Sequence, residues 1–429
     1  MSVYYTLCFL AAMAITIAFV NQYITKIQTT IAITSGALAI SVFMLILGKT
    51  TWPGLQEHAV EVIKTVDFGS FLLQGILGFL LFAGGLGINL PALKSQKWEI
   101  SILVIFGVII STLVVAGGLW LLGYVAAIPI PFIYCLLFGT LISPTDPIAV
   151  LAIVKKLGAP EQIAIQVEGE SLFNDGIGLV AFLTIFAVAF NGNEASFGSV
   201  MALFTHEAVG GIIFGALLGL MCHIMISATD DGSMELLMTL CVPTAGFAMA
   251  NVLGVSGALA MVVAGIIIGN WTRYTGFSEQ SQKYLDHFWH LLDEFLNALL
   301  FLLIGLAMLL VQFHWQAWIL VLLSVPLVLA GRFVSVALPY TGFRRVRSYN
   351  KYSVRILTWG GLRGGLSLAM ALSIPAGVKL GSDGQVDLRD LILMMTYAIV
   401  LFSIIVQGMT ITPMINKAKA AEKAGFPIE

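Results

Sequence analysis

Long apolar stretches separated by short polar connections dominate the chain. A bilayer-crossing helix needs roughly 20 mostly apolar residues, and with that length as ruler thirteen stretches stand out. They lie near 4–21, 30–48, 69–90, 99–123, 130–154, 163–190, 206–227, 234–251, 254–271, 284–311, 316–340, 353–375 and 390–414. Residues 234–271 read as two stretches because Asn251 and Gly254 offer a tight turn between them. The first stretch lacks a basic start and a small-residue cleavage site, so it is read as a retained first span. Composition agrees: 59% hydrophobic and 10% charged residues exclude a soluble globular chain. In 429 residues, thirteen spans leave no room for a large soluble domain. The expectation is one transmembrane domain over 1–429, with helices 1–6 over about 4–190, helix 7 over about 206–227, helices 8–13 over about 234–414 and a short tail at 415–429.

The basic residues orient this arrangement. If the thirteen stretches alternate across the bilayer, fifteen of the 21 lysines and arginines fall in connections on the C-terminal side and four on the other. The last two, Arg332 and Arg363, lie within spans. Basic connections stay in the cytoplasm, which predicts a cytoplasmic C-terminus and an outside N-terminus. The connection Thr229-Asp230-Asp231-Gly232 falls on the basic side without a basic residue. A net charge of −2 gives no reason to expect nucleic acid. The four cysteines lie in apolar segments without metal spacing and are read as small hydrophobes.

Two stretches are interrupted where a lipid-facing helix would be continuous: the fifth at Ser143-Pro144-Thr145-Asp146-Pro147, and the twelfth at Gly360-Gly361-Leu362-Arg363-Gly364-Gly365. Prolines remove backbone donors and clash with the preceding turn, and glycines permit unwound backbone. Such backbone is tolerated at membrane depth only inside protein or beside water. The two stretches are seven apart, so repeats of spans 1–6 and 8–13 would be inverted. Interruptions at corresponding positions of inverted repeats point to a transport site. The expected fold class is an all-α polytopic membrane protein with thirteen transmembrane helices, two inverted six-helix repeats, and interrupted, crossing helices 5 and 12.

Candidate chemistry lies in the sixth stretch, which carries Glu168, Glu170, Ser171, Asn174 and Asp175. Ionisable groups at such depth are functional by default. Ser171 and Asp175 are four apart and share a helix face, as do Glu170 and Asn174. A hard cation such as sodium wants several oxygens and a negative charge, which Asp175, the Ser171 hydroxyl and the backbone or hydroxyl of Thr145 can supply. A buried carboxylate also binds a proton, so the two ions would compete for Asp175. The alternative is a structural Asp175 paired with an arginine. Arg363 suits Glu170 as a partner, or Asp146 instead; Asp146 also offsets the positive ends of the interrupted helices. Arg332 has no partner evident from sequence.

At these residues the chain resembles the monovalent cation:proton antiporters, which include the bacterial NhaP-type exchangers and the animal sodium/proton exchangers. Residues 143–150 look like the unwound fifth-helix motif. Glu170-Ser171-Leu172-Phe173-Asn174-Asp175-Gly176 looks like the sixth-helix ion-binding motif, and Gly361-Leu362-Arg363-Gly364-Gly365 like its partner in the twelfth. Gly254-Val255-Ser256-Gly257 and the stretch from Asn297 to Gly305 extend the similarity over nearly the whole chain. The resemblance implies a thirteen-helix fold with a dimerisation part and a mobile core, a homodimer, and an elevator-like movement. It implies that Asp175, Ser171 and Thr145 bind the cation. Asn174 before Asp175 resembles the electroneutral branch, which implies one proton for one cation. Ala83 stands where many relatives have a glutamate, and Asn251 where an acid is common. The chain also stops soon after Thr412-Pro413, so regulation by a long tail domain is not expected.

The functional expectation is exchange of Na+ or Li+ for H+ in a bacterial inner membrane, with no enzymatic activity and no cofactor. The site set is Asp175, Ser171, Thr145 and Asn174, supported by Asp146, Glu170 and Arg363, with Glu294 at a cytoplasmic funnel and lipid around the protein. Potassium/proton exchange and a passive cation channel are the alternatives. An intramembrane aspartyl protease would need a second aspartate motif. A carrier of organic solutes would need a roomier site, and an anion exchanger a net positive one. His287 and His290 are read as solvated interfacial residues, and residues 50–67, with Trp52, Glu57, His58, Glu61 and Lys64, as an external loop or short helix.

Overall fold

The structure is a computed structural model and describes residues 3–50, 53–190, 197–380 and 386–423. Among these, ten helices are long and apolar enough to cross a membrane: Val3–Tyr23, Thr29–Gly48, Ala59–Gly87, Lys97–Val125, Glu161–Phe190, Gly198–Ser227, Gly232–Val252, Glu279–Leu310, Trp315–Phe343 and Leu388–Thr410. The other three expected stretches take a different form. The fifth is split into Phe132–Ile142 and Ile148–Leu157, and the twelfth into Ser353–Trp359 and Gly365–Leu372. The ninth runs as Gly257–Ile267, a wide π turn Ile268–Thr272 and a last turn Arg273–Thr275. Between the eighth and ninth stretches the chain turns at Gly254 in the left-handed region (φ 68°), where the Val255 amide donates to Ala250 O at 3.0 Å. A residue without Cβ adopts that conformation at little cost.

Three details fill in or correct the sequence reading. Residues 50–67 fold largely as the helix Pro53–Thr65, and the third apolar stretch continues from it past a left-handed Asp67 (φ 39°). Trp52 and the side chain of His58 lie outside the described residues, as do 424–429 of the tail, whose earlier part is the helix Thr412–Lys423. The all-α expectation is corrected by one short antiparallel pair, Lys379–Leu380 with Val386–Asp387. There the backbone leaves one helix before entering the next, so its polar groups find partners across the pair. Asp387 fixes the exit: its carboxylate accepts from the Gly377 amide at 2.7 Å and caps the next helix through the Arg389 amide at 3.0 Å.

The chain forms two compact units: Met1–Leu72 with Ile110–Ala164 and Asn297–Glu429, and Leu73–Ile109 with Ile165–Leu296. The second unit is built on small residues. Gly211, Gly215 and Gly219 are four apart and so share one face of the seventh helix. They meet Ser256, Ala260 and Ala264, and a Cβ on Gly211 would lie 2.6 Å from Ser256 O. Gly85 and Gly265 bring the third and ninth stretches together in the same way, since a Cβ on Gly85 would lie 2.7 Å from Val262 O. Lipid chains are as apolar as leucine, so close backbone approach is what drives such helices together. In the first unit the second and tenth helices meet at Gly305, where a Cβ would lie 2.5 Å from the Ala37 methyl. Two hydroxyls bridge that contact: Thr34 donates to Phe301 O at 3.2 Å and Ser41 to Gly305 O at 3.1 Å.

Candidate functional site

The first unit contains both interruptions, and they meet. A half-helix ends with carbonyls that have no partner within the helix. For Phe132–Ile142 and the turn after it, those carbonyls are bonded by an arginine from the twelfth stretch: Arg363 Nη1 donates to Ser143 O and Pro144 O, both at 3.0 Å. The contact runs both ways, because the Asp146 amide donates to Leu362 O at 2.9 Å. Arg363 is buried, at 1% exposure, and its charge faces the negative end of a helix dipole.

Asp146 performs the matching task at the other half-helix. Its Oδ1 accepts from the Ile148 amide at 3.0 Å, at the positive start of Ile148–Leu157. Gly364 makes room for it, since a Cβ there would collide with Asp146 Oδ2. Thr145 is buried between these contacts. Ser143 is held by Gly139 O at 2.7 Å and by the Thr112 hydroxyl at 3.0 Å. The crossing therefore leaves the unwound backbone bonded rather than bare, which is the condition for unwound chain in a membrane interior.

The twelfth stretch has a second pair of caps that sequence reasoning missed. Arg332, unpartnered in the sequence reading, donates from Nε to Leu357 O at 3.2 Å. Gln407, from the thirteenth stretch, donates to Trp359 O at 2.9 Å. Both carbonyls belong to the end of the half-helix Ser353–Trp359. Gly361 lets the guanidinium approach, because a Cβ there would lie 2.5 Å from Arg332 Nε. A mid-span arginine one stretch before a glycine-rich break was the available signal for Arg332. Gln407 carried none.

The second unit holds Glu168, Glu170, Ser171, Asn174 and Asp175 on the unbroken helix Glu161–Phe190. Glu170, Ser171 and Asn174 are buried, while Asp175 and Glu168 keep partial access. All five residues take part in polar or electrostatic contacts. Ser171 and Asp175 lie one turn apart on one face, about 6 Å along the axis. The helix is seated by three glycine contacts: Gly84 against Leu172, Gly169 against Leu93 and Ile100, and Gly176 against Leu259. Ala83 sits half-buried on the third helix and Asn251 is exposed. Glu294 is exposed on the helix Glu279–Leu306, 4.0 Å from His290 one turn earlier, and His287 is exposed as well.

Residues 15–417 match the family model described as sodium/hydrogen exchanger, transmembrane. The chain belongs to this family. It is 41% identical to the Na(+)/H(+) antiporter NhaP of Pseudomonas aeruginosa over 97% of this chain and 96% of that one. It is 32% identical to the Na(+)/H(+) antiporter NhaH of Halobacillus aidingensis, over 89% of this chain and 91% of the relative. Among solved structures, the sodium proton antiporter MjNhaP1 from Methanocaldococcus jannaschii at pH 8 shares the fold, with a TM-score of 0.74 at 18% identity over 97% of this chain and 99% of that one. The resemblance read from the fifth-, sixth- and twelfth-stretch motifs is thereby borne out. As a member of the exchanger family with ten long apolar helices, the chain is an integral membrane protein.

Proposed function

We propose that the protein exchanges Na+ or Li+ for H+ by alternating access, with cation and proton competing for Asp175. The observation that carries this reading is the crossing of two interrupted helices whose ends are neutralised by Arg363 and Asp146. Such a crossing builds a polar, bonded centre at membrane depth from one arginine and one carboxylate, distinct from Asp175. Asp175, on its own helix with Ser171 one turn away, keeps partial access. Relatives named as Na(+)/H(+) antiporters support sodium and proton as the exchanged ions. Thr145 and Asn174 complete the proposed ligand set on the motifs that carry the resemblance. Glu170 and Arg363 are assigned to supporting electrostatics, and Glu294 to a cytoplasmic entrance.

The finer proposal is one transport domain of thirteen crossings, in which the two interrupted stretches and Gly257–Thr275 join the ten long helices, with two inverted six-helix repeats. Its N-terminus is outside and its C-terminus cytoplasmic in a bacterial plasma membrane, and it works as a homodimer with one proton moved per cation. The test is proton flux in proteoliposomes under an outward sodium gradient with the membrane potential clamped. Wild type should show a sodium-driven pH change that ignores voltage, and Asp175→Asn should abolish it. Normal exchange in that variant would reject Asp175 as the shared site. A preference for potassium would change the substrate, and current without a proton gradient would indicate a channel.

A further inference from the structure

A groove of about 230 Å³ lies within the second unit, between the start of the helix Lys97–Val125 and the helix Glu161–Phe190 that carries Asp175. Its lining changes character with depth. Lys94, in the short connection between two spans, and Lys97, at the start of the next, are both exposed. Ile100 and Val104 follow as a buried apolar floor, and Phe173 and Ile177 form the facing wall. From Lys97 to Val104 the helix rises about 10 Å. Trp98 is exposed beside the lysines, with Lys97 Nζ 5.6 Å from its ring centre, as suits an aromatic side chain at a membrane–water boundary.

The groove is built into the packing of the two helices. A Cβ on Gly169 would lie 2.7 Å from the side chains of both Leu93 and Ile100, and buried Gln166 donates to Gln96 Oε1 at 3.1 Å. Among the described residues no carboxylate lines it; Glu99, in the same turn as Lys97, is buried and lies outside the lining. A soluble anion would use only the lysines, and an uncharged chain only the floor. Two positive charges at the membrane surface above an apolar channel match a molecule with an anionic head and a hydrocarbon tail. We propose that this groove binds one anionic phospholipid, its phosphate on Lys94 and Lys97 and part of one acyl chain along Ile100, Val104 and Ile177. Phe173 and Ile177 flank Asp175 in sequence, so the bound lipid rests on the helix of the proposed ion site. The lipid site itself does not depend on which ions are exchanged.

The test is thermal unfolding of the purified full-length protein in detergent, titrated separately with phosphatidylglycerol, phosphatidylcholine and inorganic phosphate. Phosphatidylglycerol should give wild type a saturating Tm rise of a few degrees, as a ligand of the folded state must produce, and the other two should give little. The double variant Lys94→Gln/Lys97→Gln removes the charges at exposed positions. Ser101→Phe, at an exposed lining position, fills the groove and keeps both charges. Each should lose the difference between the two lipids. An equal rise with phosphatidylcholine, a rise with phosphate alone, or a difference between lipids that survives in either variant overturns the proposal.

Discussion

Asp175 and Ser171 differ in what they contribute to the proposed exchange. The carboxylate takes either ion, whereas the hydroxyl contributes only a neutral oxygen to the cation. Ser171→Ala should therefore leave proton release intact and raise the apparent KM for sodium about tenfold, the equivalent of one hydrogen-bond-sized contact of about 1.4 kcal/mol; flux against sodium concentration in proteoliposomes measures it. A drop in maximal rate at unchanged KM would remove Ser171 from the ligand set. Gly364 is constrained for a different reason. A methyl group there collides with the Asp146 carboxylate, so Gly364→Ala should push the crossing apart, lowering stability by about 1–3 kcal/mol as overpacking does, with loss of exchange. Thermal unfolding alongside flux checks both effects.

At the scale of elements, the interrupted helices depend on residues that cap their broken ends. Three donors, Arg363, Arg332 and Gln407, satisfy the terminal carbonyls of two half-helices. Gln407→Leu keeps the volume but leaves Trp359 O without that donor, and should cost about 1–3 kcal/mol, the penalty of an unsatisfied buried acceptor. An unchanged Tm would show that water replaces the amide. The packing of the second unit has another basis. Gly215 lies against the Ala260 carbonyl with no space for a side chain, so Gly215→Leu should separate the seventh and ninth helices. Its expected signature is a lower Tm together with weakened exchange, since the helix that bears Asp175 rests on Leu259 beside that contact.

For the whole molecule, competition at one carboxylate has a sign that can be checked. Protons displace sodium as pH falls, so the apparent KM for sodium should rise about tenfold per pH unit on the acid side of the carboxyl's titration, by mass action. The maximal rate at saturating sodium should change much less. A KM independent of pH would mean separate sites for the two ions. Exchange of one charge for one charge should also ignore the membrane potential. A net charge moved would add about 2.3 kcal/mol per 100 mV and make the rate depend strongly on voltage.

The membrane class, nearly every apolar stretch and both interruptions were legible in the sequence because each rests on local chemistry. Span length follows from bilayer thickness, and Pro144, Pro147 and the glycines around Arg363 break a helix whatever surrounds them. The acid-bearing face of the sixth helix was legible because helical spacing is regular. Tertiary structure alone decided what each buried polar group bonds to. Nothing in the spacing of Arg332, Leu357, Trp359 and Gln407 announces that two side chains cap one half-helix, and nothing near Asp146 announces that Leu362 accepts its amide proton. Those partners are far apart in the chain and meet only when helices pack, and the packing depends on where glycines allow backbones to touch. A sequence determines which backbone groups a broken helix leaves unsatisfied; only the fold determines which side chains satisfy them, because that depends on distances in space rather than along the chain.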